Sequence, residues 1–329
     1  MSESVSVRPY EAEEQVTHVC CVCGKPVSPP YNLVAGRIFC DRHLAAMNKP
    51  HPGFWRAAVV QLVVTGLFAV AVMLIAPYIG RLDGALSVIV GLGLVLVPTV
   101  LWMVYFYRQD LREPEPKTRI LQVFGLALLL AEAVGFRLVN EWFNVPEWAS
   151  SLNWTSLLAS VLIAGFTWQG ITYVAVRAVV YATPEFDERI DGLVYGTIAG
   201  LGVATLINLH YVLDNMGVAL GAGVVFIVTT ALIQASFSGV TGYFMARGKF
   251  EHKPVWYVPL GVTLAAVLDG LFTWLINEVS ADGLTVAPWR SLVVGLLVGA
   301  VAFGVLLMLL RPTERPLEHG SAVPAGGAE

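Results

Sequence analysis

The stretch 190–208, IDGLVYGTIAGLGVATLIN, decides the fold of this chain. From Gly192 to Asn208 it contains no charged side chain, and glycine or alanine recurs every few residues. A helix needs about 20 predominantly apolar residues to cross the hydrocarbon core of a bilayer, which is about 30 Å thick. Small residues allow a second helix to approach closely within the membrane. The stretch therefore predicts a transmembrane helix that packs tightly against a neighbour.

Seven further apolar runs of similar length lie on either side of this one. Of the 329 residues, 56% are hydrophobic and 13% are charged. Roughly a quarter of the residues of soluble domains are charged, so a water-soluble fold is excluded. We predict an all-α polytopic membrane protein with about eight transmembrane helices. The predicted spans are 54–79, 85–107, 120–142, 156–181, 191–212, 218–246, 255–279 and 291–310.

The distribution of basic residues between the loops predicts the orientation of the spans. Cytoplasmic loops of membrane proteins carry an excess of lysine and arginine. From Lys25 to Arg315, fifteen such residues fall on the side that includes the N-terminal segment, against only Arg81 and Arg290 on the other side. We therefore expect a multi-pass protein of the cell (inner) membrane, surrounded by lipid, with both termini in the cytoplasm. Because the acidic N-terminal segment lacks the pattern of a cleaved signal peptide, the first span is expected to direct insertion.

All four cysteines lie in a polar segment that precedes the first span. Cys20 and Cys23 form a Cys-x-x-Cys pair, and Cys40 and His43 form a second pair with the same spacing. Tetrahedral Zn²⁺ accepts such a set of three sulfurs and one nitrogen, and four protein ligands leave no open position for chemistry. We therefore predict a structural zinc ion in a small N-terminal zinc-binding domain, here called the head. Because so small a domain buries little apolar surface, the metal is expected to supply much of its stability.

The choice of ligands in the head has alternatives. Cys21 is an additional thiol, and His18 and His51 are spare donors, so one of them can replace a predicted ligand. A redox-active or lipid-modified cysteine cluster is the competing interpretation of the segment.

Composition divides the chain into four parts. Residues 1–17 are predicted to be a flexible N-terminus, 18–50 the cytoplasmic head, 54–310 the membrane domain and 311–329 a disordered tail with too few apolar residues to bury. The formal net charge is −4 and no basic stripe is present, so no nucleic-acid partner is expected.

Ionisable side chains within predicted spans are functional candidates, because burying them in a bilayer is costly. Glu132 and Arg137 lie in the third span and Asp269 lies in the middle of the seventh, whereas Arg177 lies near a span end where it can extend to the interface. Uncharged polar residues also fall inside the spans, where bonds between helices are their commonest role. These are Gln169, Asn208, His210 and Gln234.

Three motifs occur in an order that resembles the PrsW family. They are Tyr107-Arg-Gln-Asp110 through Glu115-Pro116, the stretch 184–208, and the pair Gly242-Tyr243. The resemblance covers roughly Leu101 to Leu275 and leaves the head outside. It implies a bacterial multi-pass protein related to proteases that cleave anti-sigma factors and other membrane proteins.

All but one of the residues that the family uses for chemistry are replaced in this chain, and the exception is the amide of the Glu-Asn pair, which remains as Asn208. The family carries two adjacent glutamates with a lysine three residues later, a Glu-Asn pair on the next helix, a histidine eight residues before the Gly-Tyr pair, and a final histidine with an aspartate or asparagine four residues later. Here those positions hold Trp168, Gln169, Thr172, Ile207, Asn208, Gln234, Asp269 and Thr273. Peptide hydrolysis requires water activated by a general base or a metal, so no catalytic residue is predicted.

The resemblance therefore implies a pseudoprotease that binds membrane or cytoplasmic protein partners. One alternative is an active intramembrane protease of divergent mechanism, using Glu132 and Asp269 with His210 as a further candidate. Another is a transporter or channel in which Glu132, Arg137 and Asp269 line a polar route.

Overall fold

The computed structural model describes residues 18–29, 31–34, 37–47, 54–79, 82, 84–109, 116–145, 147, 154–251, 253–281, 288–309 and 318–320. Apart from a short head helix, α1 (Asp41–Met47), eight long helices account for most of these residues. They are α2 (Phe54–Ile79), α3 (Gly84–Gln109), α4 (Lys117–Trp142), α5 (Trp154–Val179), α6 (Arg189–Asp214), α7 (Leu220–Phe250), α8 (Tyr257–Ala281) and α9 (Pro288–Leu309).

The predicted all-α membrane fold is confirmed. Within the described ranges, seven helices, α2 to α8, are long and apolar enough to cross a membrane. The eighth, α9, runs for 22 residues, of which Leu292–Ala302 forms a shorter apolar segment. Apolar side chains on the outer helices face away from the bundle, as on Leu67 and Leu74 of α2, which are 62% and 66% exposed. Such surfaces suit a hydrocarbon environment.

Helices α6 and α7 form the centre of the bundle. Eighteen of the 26 residues of α6 are buried, including the whole run from Asp191 to Leu206. A Cβ atom added to Gly242 of α7 would overlap the backbone carbonyl oxygen of Gly192, and one added to Gly196 would overlap that of Ser238. The two backbones therefore touch directly, as the glycines of the stretch 190–208 predict.

Two membrane helices contain wide π-helical segments. In α4 the segment is Ala131–Trp142, and in α5 it is Ala159–Gly165. Segments of this kind are rare and often occur at functional sites, because the wider turn changes the direction in which side chains project. Both segments border the cavity described below.

The head consists of a small antiparallel sheet and α1. Strands β1 (Tyr31–Val34) and β2 (Arg37–Phe39) form a hairpin between the two ligand pairs. A third strand, β3 (Glu318–Gly320), pairs with the other edge of β1, giving the order β2-β1-β3. The prediction of a tail disordered throughout 311–329 is therefore wrong for these three residues, because β1 offers its free backbone groups to them. The other residues of the tail, and the predicted flexible segment 1–17, lie outside the described residues.

Candidate functional site

The first candidate site is the cluster formed by Cys20, Cys23, Cys40 and His43. Their ligand atoms all lie within 4.8 Å of one another. The Nδ1 atom of His43 lies 3.0 Å from the sulfur of Cys40 and 3.6 Å from that of Cys20. The structure therefore brings together the four residues that the spacing of the two pairs predicts.

Local backbone structure explains how each pair is positioned. Val19 and Pro26 form a β-bridge that closes the first turn, and the amide of Cys20 donates to Lys25 O at 2.9 Å. Gly24 adopts a φ of +67°, which glycine tolerates without a steric penalty. In the second pair, Cys40 directly follows β2 and His43 lies near the start of α1. Both side chains therefore face the turn that carries Cys20 and Cys23.

The cluster has the chemistry of a metal site. Burial raises the pKa of the Cys20 thiol, but hydrogen bonds from the backbone of Cys23, Cys40 and Val22, together with the side chain of His43, lower it to about 6. The thiolate is the form of cysteine that binds metals. Three sulfurs and one imidazole nitrogen fit a tetrahedral zinc ion.

The alternative donors lie outside this cluster. Cys21 is exposed, and its sulfur is not part of the group of four. The ring of His18 packs against Tyr31, with 4.5 Å between the ring centroids. His51 lies outside the described residues.

The second candidate site is a hydrogen-bonded core where α5, α7 and α8 meet. The amide nitrogen of Gln169 donates to Asp269 Oδ2 at 2.8 Å. The amide nitrogen of Gln234 donates to both carboxylate oxygens of Asp269, at 3.1 and 3.2 Å. Asp269 is completely buried. Three positions that the resemblance implies therefore converge, although each lies on a different helix.

The other positions that the resemblance implies surround this core without bonding to Asp269. Thr241 donates to the side-chain oxygen of Gln169 at 2.8 Å, which fixes the orientation of that amide. Thr172 bonds to Ser238 at 2.9 Å, and Asn208 donates to the backbone oxygen of Ile227 at 3.1 Å. Trp168, Ile207 and Thr273 instead line an adjacent cavity.

That cavity has a volume of about 530 Å³ and lies between α4, α5, α6, α7 and α8. Its lining is mainly apolar and aromatic, with Trp168, Phe136 and Phe226 among the contributing side chains. Gln234 reaches it from the buried core. The side-chain oxygen of Gln234 is buried and has no hydrogen-bond partner within the described part of the chain.

A contact between a histidine and a glutamate borders the same cavity. His210 Nε2 lies 2.7 Å from Glu132 Oε2, and the His210 ring stacks on Phe136 with centroids 3.7 Å apart. The divergent protease considered above would need Glu132, His210 and Asp269 in one site. The structure joins the first two, whereas the hydrogen bonds of Asp269 go to the two glutamines. Because Glu132 and His210 are on different helices, no local spacing signals their contact.

Arg177, a further candidate from the sequence, contacts an aromatic ring. The guanidinium of Arg177 lies 4.5 Å from the centre of the Tyr181 ring. Asp110 and Glu115, which belong to the motifs of the resemblance, lie outside the described residues.

The buried core does not fit a catalytic metal. A metal requires several free lone pairs, and the core offers one carboxylate whose oxygens already accept amide hydrogens from two glutamines. Across the ranges given above, the head is the one place where three or more histidine, cysteine or acidic side chains converge closely enough to share an ion.

Comparison with known proteins identifies relatives of the membrane domain. Residues 115–310 match the family described as PrsW family intramembrane metalloprotease, so the match begins and ends further along the chain than the resemblance suggested. A Protease PrsW of Geobacillus kaustophilus is 30% identical over 186 residues, which are 55% of this chain and 77% of the relative. A Protease PrsW of Bacillus subtilis is 27% identical over 192 residues, 56% of this chain and 82% of the relative. No solved structure matches the chain.

Proposed function

The chain belongs to the PrsW family of intramembrane metalloproteases, and on this premise we propose that it is a catalytically inactive member that binds protein partners. The observation that carries the proposal is the contact of Gln169 and Gln234 with Asp269. Amides occupy the positions where the family places a glutamate and a histidine. A carboxamide accepts no proton from water near neutral pH, so neither Gln169 nor Gln234 can act as a general base.

The cavity supports a binding role for the membrane domain. A volume of 530 Å³ lies within the range of about 300–1,000 Å³ that is typical of ligand pockets. We propose that its occupant is part of a transmembrane segment of a partner protein. An apolar segment suits the lining of Trp168, Phe136 and Phe226.

The head contributes a second part of the proposed function. Cys20, Cys23, Cys40 and His43 hold a structural Zn²⁺, which stabilises a surface for protein contacts on the cytoplasmic side. The excess of basic residues on that side supports this orientation, with both termini in the cytoplasm. The coordination set is complete with four protein ligands, so the ion serves folding and not hydrolysis.

Site-specific crosslinking tests the proposed binding of a membrane segment. A photoreactive residue replaces Ile207, which lines the cavity, or Leu129, which is 63% exposed on the outside of α4. We expect a crosslink from position 207 to a single intact transmembrane polypeptide, and only lipid adducts from position 129. Crosslinks from position 207 to cleaved fragments, or to lipid alone, would contradict the proposal.

A second candidate function is peptide hydrolysis by a divergent mechanism. The contact of His210 with Glu132 favours it, since a histidine oriented by a carboxylate is a common general base and this pair borders the cavity. Cleavage of a transmembrane peptide by the protein in liposomes, abolished by both Glu132→Gln and His210→Ala, would establish this function in place of the first.

A further inference from the structure

The head contacts a loop of the membrane domain. We define the motif loop as residues 180–188, which connect α5 to α6 and include Phe186 and Asp187. The Nε2 atom of His43 lies 3.7 Å from Oδ2 of Asp187. Their side chains are 6% and 18% exposed, so the contact is largely shielded from water.

The two ring nitrogens of His43 face different partners. Nδ1 points at the sulfurs of Cys20 and Cys40, whereas Nε2 points at the carboxylate of Asp187. A histidine that binds a metal through one nitrogen usually donates the other N–H to a carboxylate or carbonyl. That outer contact fixes the tautomer and the direction of the ring.

The motif loop is held firmly from the membrane side. The backbone amide of Asp187 donates to the carboxylate of Asp191, in the first turn of α6, at 2.8 Å. The amine of Lys249, near the end of α7, donates to the backbone oxygen of Phe186 at 2.7 Å. Asp187 therefore reaches the head from a fixed support, which an outer-shell residue needs in order to orient a ligand.

Apolar packing joins the same two parts. Phe39, which directly precedes the ligand Cys40, is completely buried in the hydrophobic cluster that also contains Phe186 and Phe250. Val22, between the ligands Cys20 and Cys23, packs against that cluster. Both pairs of ligands are thus adjacent to side chains that face the membrane domain.

We propose that Asp187 is the outer-shell carboxylate of the zinc site in the head, so that one metal ion both folds the head and holds it against the membrane domain. Asp187 is a positioning residue that acts through His43. The inference rests on the proposed binding of Zn²⁺ by the head. Asp187 lies within the residues that match the family, whereas the zinc site of the head lies outside them. The inference therefore assigns a residue of the membrane domain a role in the zinc site of the head.

Metal affinity of the full-length protein tests the proposal. Zinc is titrated against a chromophoric chelator, using wild-type protein, Asp187→Asn and the matched control Glu185→Gln in detergent. Glu185 belongs to the same loop but faces Arg119, at 3.5 Å. We expect Asp187→Asn to weaken zinc binding by about 10- to 100-fold, the usual effect of removing an outer-shell partner. Glu185→Gln should bind zinc as wild type does.

Cobalt substitution separates positioning from loss of a ligand. If Asp187 acts through His43, Co²⁺ bound to Asp187→Asn retains the absorption bands of tetrahedral thiolate coordination and only its affinity falls. Wild-type affinity in Asp187→Asn would overturn the inference and leave the zinc head intact. Failure of the wild-type protein to bind zinc would overturn both.

Hydrogen exchange on the wild-type protein gives a test that needs no variant. We expect the amides of the motif loop to exchange faster after zinc is removed by a chelator, because the head then loosens its contact with Asp187. Exchange in residues 180–188 that is the same with and without zinc would overturn the proposed coupling.

Discussion

The side chains of Gln169 and Asp269 lie 2.8 Å apart and join α5 to α8 through a buried hydrogen bond. Gln234 adds the third helix, α7, to the same carboxylate. Within the described part of the chain, the hydrogen bonds to the carboxyl oxygens of Asp269 all come from side-chain amides, and such bonds satisfy those oxygens without a metal. The positions that carry catalysis in the family thus form a structural link between helices in this chain.

Replacement of the carboxylate tests this structural role. Asp269→Asn would place a second set of amide hydrogens against the amides of Gln169 and Gln234. Removing a buried hydrogen-bond acceptor costs roughly 1–3 kcal/mol, so the melting temperature in detergent should fall. Thr273→Val, one turn later on α8 and beside the cavity, is the matched control and should change it little. Equal melting temperatures for Asp269→Asn and the wild type would show that the link carries no stability.

Close packing of α6 on α7 gives a second prediction. Gly242→Ala should destabilise the protein strongly, because its new methyl group would overlap the backbone oxygen of Gly192 and force the helices apart. Gly125→Ala on α4 is the control, since nothing lies within 4 Å of the position of its added Cβ. It should be neutral or stabilising by up to about 1 kcal/mol. Thermal unfolding in detergent measures both, and similar losses in the two variants would contradict the packing described.

The sequence predicts the helices well because their signal is local. The apolar run that includes Gly192 to Asn208 is long enough to span a membrane whatever its neighbours are, and the same holds for the other spans. The proximity of Cys20, Cys23, Cys40 and His43 was also predictable, because two pairs with equal spacing produce two turns that can face each other. Zinc itself remains a prediction.

Contacts between distant segments were not predictable in the same way. The bonds of Asp269 to Gln169 and Gln234 depend on how three helices pack, and periodicity along one helix carries no information about that. The approach of Asp187 to His43 depends on where the head docks. The strand Glu318–Gly320 exists because the edge of β1 is free, whereas the composition of the tail alone predicts disorder.

Acid should weaken the end of α7 that lies beside the motif loop. Burial raises the pKa of Glu251, but hydrogen bonds from Arg247 and Lys253 and the charges of Arg247 and Arg189 bring it below its ordinary value of 4.5. A carboxyl whose folded-state pKa is lowered contributes stability above its unfolded pKa and loses it as the pH falls through the folded-state value. The stability of the wild type should therefore fall below about pH 4.5, the region that this carboxyl governs.

Glu251→Gln tests the origin of that pH dependence. The variant should be less stable at neutral pH by about 3 kcal/mol, because three cations lose a shared buried anion. The stability of Glu251→Gln should also fall less than that of the wild type as the pH is lowered. Lys253→Gln keeps Glu251 and its bonds to Arg247, at 2.6 and 2.9 Å, and should retain most of that decline. A Glu251→Gln protein with the full acid transition of the wild type would refute the assignment.

The orientation of the head can be measured with its exposed thiol. Because Cys21 is exposed and lies outside the metal cluster, a maleimide that cannot cross membranes should label it only after cells are permeabilised. Cys21→Ser should remove most of the labelling. Labelling of intact cells at Cys21 would place the head outside the cell and reverse the proposed orientation.

Metal content of the purified full-length protein tests the central claim, that the head binds zinc and the buried core of the membrane domain binds none. The account predicts one zinc per chain for the wild type and for Cys21→Ser, and none for the double variant Cys20→Ser, Cys40→Ser. The account would be contradicted if the double variant still bound metal, cleaved peptide, and lost that metal when Asp269 was also replaced by Asn.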